Sequence, residues 1–164
     1  MIPIRSSRPD DAPALFAVWL AAVRSTHDFL SEEDIGFYAD LVRDQYLPAA
    51  ALLVAVDGDD RPVGFLGMTG RKIDTLFVDP AWHGRGIGRA LVARALEGGP
   101  ELTVDVNEQN GAARAFYRRL GFREVGRSAL DDSGRPFPLL HLTLDGLSSM
   151  APDEATRPEP EGLT

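Results

Sequence analysis

Three glycines and two arginines interleave where an apolar run meets a helical pattern, and their chemistry favours a phosphate. Leu76-Phe77-Val78 leads through Asp79-Pro80-Ala81-Trp82 into His83-Gly84-Arg85-Gly86-Ile87-Gly88-Arg89. Without Cβ atoms at 84, 86 and 88, the backbone can bend tightly and bring its amides close to a ligand. Those amides open a helix, where unpaired N–H groups and the dipole both favour negative charge. Arg85 and Arg89 add permanent cations. A dinucleotide fingerprint would need glycine at the sixth position from Gly84, where Arg89 stands, and an acidic residue closing a following strand. A P-loop would need Gly-Lys-Ser/Thr, but Gly88 is followed by Arg89 and Ala90. A bare turn explains one or two glycines, not three with two arginines between them.

A second constellation follows. Leu102-Thr103-Val104-Asp105-Val106-Asn107 alternates with the period of a strand. After Glu108-Gln109, Asn110 can cap a helix whose Ala113, Phe116, Tyr117 and Leu120 fall on one face, and Gly121 suits its left-handed end. Tyr117 carries a phenol, able to pass a proton to a thiolate. Its place on the apolar stripe, taken alone, better fits a core tyrosine.

Together the two segments resemble the GNAT N-acetyltransferases. That family's Arg/Gln-x-x-Gly-x-Gly/Ala is matched by His83 to Gly88, with His83 in place of arginine or glutamine. Its Ala-x-x-Phe-Tyr-x-x-x-Gly-Phe is matched by Ala113 to Phe122. The resemblance spans roughly residues 1 to 145. It implies acetyl-CoA as cosubstrate, no metal, and direct attack by a primary amine in a ternary complex. It further implies that the fourth and fifth strands part like a V around the pantetheine arm. Amides of Leu76, Phe77 or Val78 would then bind pantetheine and the thioester carbonyl, a donor of that kind being worth roughly 3–4 kcal/mol. His83, Gly84, Arg85, Gly86, Ile87, Gly88 and Arg89 would hold the pyrophosphate. Asn110 would touch pantetheine or hold its helix, and Tyr117 would be the acid.

Three residues compete as the base, with ordered water as the alternative to all of them. Asp105 sits on the fifth strand at the spacing from Tyr117 where some family members carry glutamate. Asp74 precedes Leu76 by two residues. His27, between the first two helices, lies in the region that forms the family's acceptor cleft, and an imidazole titrates near neutrality. Each has a bland alternative: an ion pair for Asp105, solvation for Asp74, a helix cap for His27. Thr26-His27-Asp28-Phe29-Leu30 and Val106-Asn107-Glu108-Gln109-Asn110 resemble segments of small stand-alone bacterial members, some of which acetylate protein lysines. His141, alone in an apolar strand, reads as structural. Arg114, Arg118 and Arg119 read as a solvated basic face.

The elements that must position these groups alternate along the chain. Ile2–Ser6 reads as a strand. Asp10 caps a helix with a Leu15, Val18, Trp19, Ala22, Val23 stripe, and Ser31 opens a second helix ending before Pro48. Ala51–Val56 is continuously apolar, as in a strand covered on both faces. Asp57-Gly58 turns it into Pro62–Met68, and Arg71–Val78 follows. The glycine-rich loop starts a helix through Glu97, which Gly98-Gly99-Pro100 stops. After the second motif come strands near Phe122–Ser128 and Phe137–Leu144, joined through Asp131–Pro136. The order β-α-α-β-β-β-α-β-α-β-β is that of the GNAT fold: α/β, a mixed twisted sheet of six to seven strands with helices on both faces.

Composition bounds the rest. With 164 residues, 44% hydrophobic, the chain supports one core. Residues 1–147 read as one GNAT domain, and 148–164, rich in Pro, Glu and Asp, as a flexible acidic tail. No cysteine is present, so a thiol nucleophile and the usual zinc ligands are excluded. A formal charge of −8 argues against nucleic acid. Neither a long apolar run nor a leader pattern is present, so no membrane partner and a cytoplasmic setting are expected. The acceptor is an amine, in a protein lysine or a small molecule, and both monomer and homodimer stay open. A GNAT-fold sensor that binds CoA without catalysis is the alternative from another class. A nucleotide-binding protein using the same loop comes third.

Overall fold

A computed structural model describes residues 2–145. The tail expected over 148–164 lies outside them. Seven strands form one sheet: β1 (Ile4–Ser6), β2 (Leu52–Val56), β3 (Pro62–Thr69), β4 (Lys72–Val78), β5 (Glu101–Asn107), β6 (Arg123–Ser128) and β7 (Leu139–Asp145). Their spatial order is β1-β2-β3-β4-β5-β7-β6. β4 and β5 run parallel, and every other neighbouring pair is antiparallel. The expected architecture is present.

Each face of the sheet has its own core. Helix α1 (Ala12–Thr26) lays Leu15, Val18, Trp19, Ala22 and Val23 against Val54, Phe65 and Phe77. Helices α4 (Ile87–Leu96) and α5 (Gly111–Leu120) cover the opposite face, where Leu91, Phe116 and Leu120 meet Leu76, Val78 and Val104. Burying each large apolar side chain contributes roughly 1.5–3 kcal/mol, so periodicity along each helix decides which stripe turns inward. β2, covered on both sides, is buried at four of its five residues, as its unbroken apolar run predicts.

Two helix ends differ from expectation. Asp11, not Asp10, organises the start of α1. It sits in a 3-10 turn (Pro9–Asp11), where its carboxylate accepts from the Arg8 N–H at 2.7 Å and from Arg5 at 2.8 and 3.0 Å. A fixed guanidinium outweighs one residue of sequence position. Helix α2 (Glu32–Leu41), boxed by Ser31 and Asp34, itself ends before Pro48, but the helical path runs on through it. The backbone widens into a π turn over Val42–Tyr46, with the Leu47 N–H reaching the Val42 carbonyl. Pro48 then falls in the first turn of a short helix, α3 (Leu47–Ala49), where a missing N–H costs little. Strand limits also move, by one residue at most of them and by two at β1, which starts at Ile4, and at β7, which starts at Leu139. Phe137 is drawn instead against Phe29 and Tyr38, at ring separations of 5.8 and 6.5 Å.

Candidate active site

The glycine-rich loop is built from β4 outward. Asp79 stops the strand by accepting from the Ala81 N–H at 2.9 Å, closing a 3-10 turn over Pro80–Trp82. Arg85 then stacks over the Trp82 ring, its guanidinium carbon 4.5 Å from the centroid. Gly84 and Gly86 both have φ of +77°, with open space where a Cβ would stand. A side chain at either would strain the backbone by about 1–2 kcal/mol. Gly88 lies inside the first turn of α4 and is buried. Gly86 caps α4 with no side chain answering the helix's first N–H groups. His83 Nε2 is buried without a partner among the described residues. Backbone amides at the start of a ten-residue helix without a side-chain cap, a buried imidazole nitrogen without a partner among the described residues and a stacked cation fit a diphosphate.

The split in the sheet begins where β4 bends. β4 and β5 are paired only at Lys72↔Thr103 and Ile73↔Val104. Against β3, Thr75 faces Gly67 and Ile73 faces Met68, which leaves Asp74 as the extra residue of a bulge. A bulge bends its strand and re-aims one side chain. Beyond it Leu76, Phe77 and Val78 stay registered with Leu66, Phe65 and Gly64 of β3 while β5 diverges. In such a ladder, residues between the bonded ones turn their backbone groups to the other edge, here the gap. All three side chains are buried.

Tyr117 and Asn110 lie on the α4/α5 face. Tyr117 is wholly buried, with Phe116 and Phe122 edge-on at 5.0 and 5.1 Å. Its hydroxyl has no hydrogen-bond partner among the described residues, and burial holds the phenol well above its ordinary pKa of 10. It therefore stays protonated. Asn110 caps α5 through its Oδ1, 3.1 Å from the Ala113 N–H, and its Nδ2 is buried without a partner among the described residues. The solvated basic face is only part true: Arg118 is exposed, whereas Arg114 and Arg119 are half-buried.

The other face of the split opens into a cavity of about 600 Å³, lined by all three candidate bases. Tyr117 does not line it. The two sets of groups therefore occupy opposite faces of the sheet, with the β4–β5 gap between them. His27 is buried, its Nδ1 2.8 Å from Thr26 Oγ1. Because that hydroxyl already donates to the Ala22 carbonyl at 2.8 Å, the imidazole is the donor in the Thr26 contact. Asp74 is exposed and accepts from Thr69 at 2.6 Å. Asp105 is held by Lys72 Nζ at 2.8 Å and His141 Nδ1 at 2.6 Å. Burial pushes its carboxyl up, but those two partners prevail and hold it below the ordinary carboxylate value.

A cover over the cavity escaped the sequence reading. Asp131 accepts from Tyr38 and from the Ser133 hydroxyl, and Arg135 reaches Asp34 at 2.6 Å with its guanidinium 3.9 Å above the Phe37 ring. The loop between β6 and β7 is thus fastened to α2. These contacts join residues about a hundred positions apart, and the only advance signal was the turn chemistry of Asp131–Pro136. Lys72 was missed for a similar reason: its partner depends on β4–β5 register.

Comparison with known proteins places this geometry in a class. Residues 31–138 match the family model described as an acetyltransferase (GNAT) domain. The chain belongs to the GNAT family and is an N-acetyltransferase. It is 49% identical over 146 residues to the peptidyl-lysine N-acetyltransferase YjaB of Escherichia coli K12, covering 89% of this chain and 99% of that one. It is 32% identical to the peptidyl-lysine N-acetyltransferase YiaC of the same organism, over 81% and 91% of the two chains. The solution structure of apo YjaB superposes with a TM-score of 0.84 at 49% identity, again over 89% and 99%. A Thermoplasma acidophilum PaiA N-acetyltransferase solved with coenzyme A shares the fold, with a TM-score of 0.71 at 22% identity over 88% and 99%. Among the described residues, no helix is long and apolar enough to cross a membrane.

Proposed function

We propose that the protein transfers the acetyl group of acetyl-CoA to the ε-amine of a protein lysine, by direct attack in a ternary complex. The cavity beside the β4–β5 gap carries this reading. Trp19, Val23 and Phe77 give it an apolar floor, and Asp74, Asp105, Asp131 and Asp132 an acidic wall. A lysine side chain has the complementary form, an apolar four-carbon stem ending in a cation. The name of the Escherichia coli relative agrees. A donor kept inside cells makes the cytoplasm the proposed setting.

On this reading His83, Gly84, Arg85, Gly86, Ile87, Gly88 and Arg89 hold the diphosphate through loop amides, the α4 terminus and charge. The strand edge at Leu76, Phe77 and Val78 aligns the thioester. Asp105 is the preferred first proton acceptor, because it is a carboxylate on β5 one residue beyond the last β4–β5 pair. Asp74 and His27 line the acceptor's path. The amine nitrogen bonds to the acetyl carbon, the carbon–sulfur bond breaks, and Tyr117 protonates the departing thiolate. Lysine starts as an ammonium, so two protons leave it: one ends on the thiol and one goes to solvent. Asn110 keeps α5, and with it the phenol, at the gap.

The test is acetyl-CoA with three acceptor sets: lysine peptides blocked at the N-terminus, peptides with a free N-terminus and no lysine, and small diamines. Thiol release and peptide mass are followed. Modification of lysine peptides is expected. Transfer only to small amines or N-termini overturns the lysine assignment, and CoA binding without transfer to any amine favours the sensor.

A further inference from the structure

Three residues on three strands make a hydrogen-bonded chain that the acetyl-transfer reading leaves unused beyond its first member. Asp105 on β5 lies 2.6 Å from His141 Nδ1 on β7, and His141 Nε2 lies 2.7 Å from Ser128 Oγ at the end of β6. An ionised carboxylate can only accept, so Nδ1 carries a proton; in the neutral ring Nε2 then keeps its lone pair, and the serine hydroxyl donates to it. Orienting acid, base and nucleophile thus stand in the order and at the distances that activate a serine in acyl transfer.

The sheet builds this arrangement. Asp105 pairs with His141 across β5 and β7, and His141 faces Gly126 across β7 and β6. The β6 ladder shifts between Glu124 and Gly126, and a Cβ on Gly126 would stand 3.3 Å from His141 Cδ2. The glycine leaves room for the ring to lie over β6. The His141 side chain is 34% exposed, and β6 is an edge strand, so a small reagent can reach the serine.

We propose that Ser128 is an activated nucleophile, general-base-assisted by His141 and Asp105, that takes an acyl group from small activated esters. Ser128 Oγ bonds to the ester carbonyl carbon, and its proton passes to His141 Nε2. The carbon–oxygen bond to the leaving group breaks, and the leaving phenolate takes that proton. Water can later release the acid by the same route reversed. The proposal invokes no oxyanion cradle around Ser128, and such a cradle is worth about 10²–10³ in rate. The expected behaviour is therefore stoichiometric acylation with slow release. General-base help still raises attack by about 10²–10⁴ over an unassisted serine.

The full-length protein, without acetyl-CoA, is treated with 4-nitrophenyl acetate and, separately, a fluorophosphonate; phenolate release is timed and adducts are mapped by mass spectrometry. The expected result is one adduct on Ser128, absent in Ser128→Ala and at least tenfold slower in His141→Gln. Added imidazole should restore part of the rate in His141→Ala, which a packing role would not allow. If the His141 variants do not fold by circular dichroism, Asp105→Asn serves for the same comparison. No adduct, adducts spread over several serines, or equal rates in wild type and the folded variant would overturn the assignment. Because no acetyl-CoA is present, this outcome is independent of the lysine-transfer experiment.

Discussion

Replacing Tyr117 by phenylalanine removes one oxygen and keeps both edge-on ring contacts, so its effects on stability and on catalysis separate. The hydroxyl is wholly buried and has no partner among the described residues. A buried polar group in that condition costs about 1–3 kcal/mol in desolvation. Its loss should return part of this, the small void left by one oxygen opposing it, for a net gain of about 0.5–2 kcal/mol. In a chain of this size each kcal/mol moves the melting temperature by about 2–4 °C, so Tm should rise by about 1–8 °C. Turnover should fall about 10²–10⁴-fold, the usual weight of a general acid, with donor affinity little changed. Thermal melts followed by circular dichroism, thiol release with a lysine peptide and calorimetry with CoA measure all three. A lower Tm would mean that the hydroxyl has a partner in the folded protein. Unaltered turnover would remove the phenol from the chemistry. Buried polar groups are normally satisfied, so this one makes sense as a cost accepted for a ligand that completes it.

Gly86→Glu should abolish CoA binding in calorimetry while the protein still folds, since φ of +77° adds only about 1–2 kcal/mol of strain and the new carboxylate repels a diphosphate; undiminished binding would refute the loop assignment. Arg135→Ala should loosen the cover by about 1 kcal/mol, raising KM for a lysine peptide about fivefold without changing that for acetyl-CoA. Steady-state kinetics with each substrate varied decide it, and an equal rise in both would point to general damage. Arg5 holds the Asp11 carboxyl below its unfolded value of 3.8. A depressed acid adds stability that is present above its unfolded pKa and is lost as pH falls through the lower folded one. Asp11→Asn should therefore cost about 1.5–3 kcal/mol at neutral pH and flatten the loss seen below about pH 4, read from denaturant midpoints across pH.

Much of the molecule was legible in one dimension because its determinants are local. Glycine spacing marked the loop, and Gly84 and Gly86 do take the left-handed backbone that favours glycine. Helical periodicity placed Tyr117 on the buried stripe of α5, and Asn110 caps that helix as its position suggested. The unbroken apolar run of β2 announced burial on both faces. Where local signals competed, tertiary contacts prevailed. A guanidinium six residues away selected Asp11 over Asp10, and a π turn carried the second helical segment past the point where Pro48 alone would end it.

What the sequence by itself determined is the order of elements, the glycine-rich loop and the buried place of the phenol, since each rests on backbone preference or periodicity within about fifteen residues. Only the tertiary structure decided where β4 leaves β5, because a bulge at Asp74 exists only relative to the register of β3. Register likewise chose the partners of Asp105: Lys72 and His141 lie 33 and 36 positions away along the chain. The cover of Asp131 and Arg135 on α2 joins segments that no periodicity relates. Side-chain chemistry travels with the residue, but its partners and its access to a cavity are properties of strand pairing, and pairing is long-range.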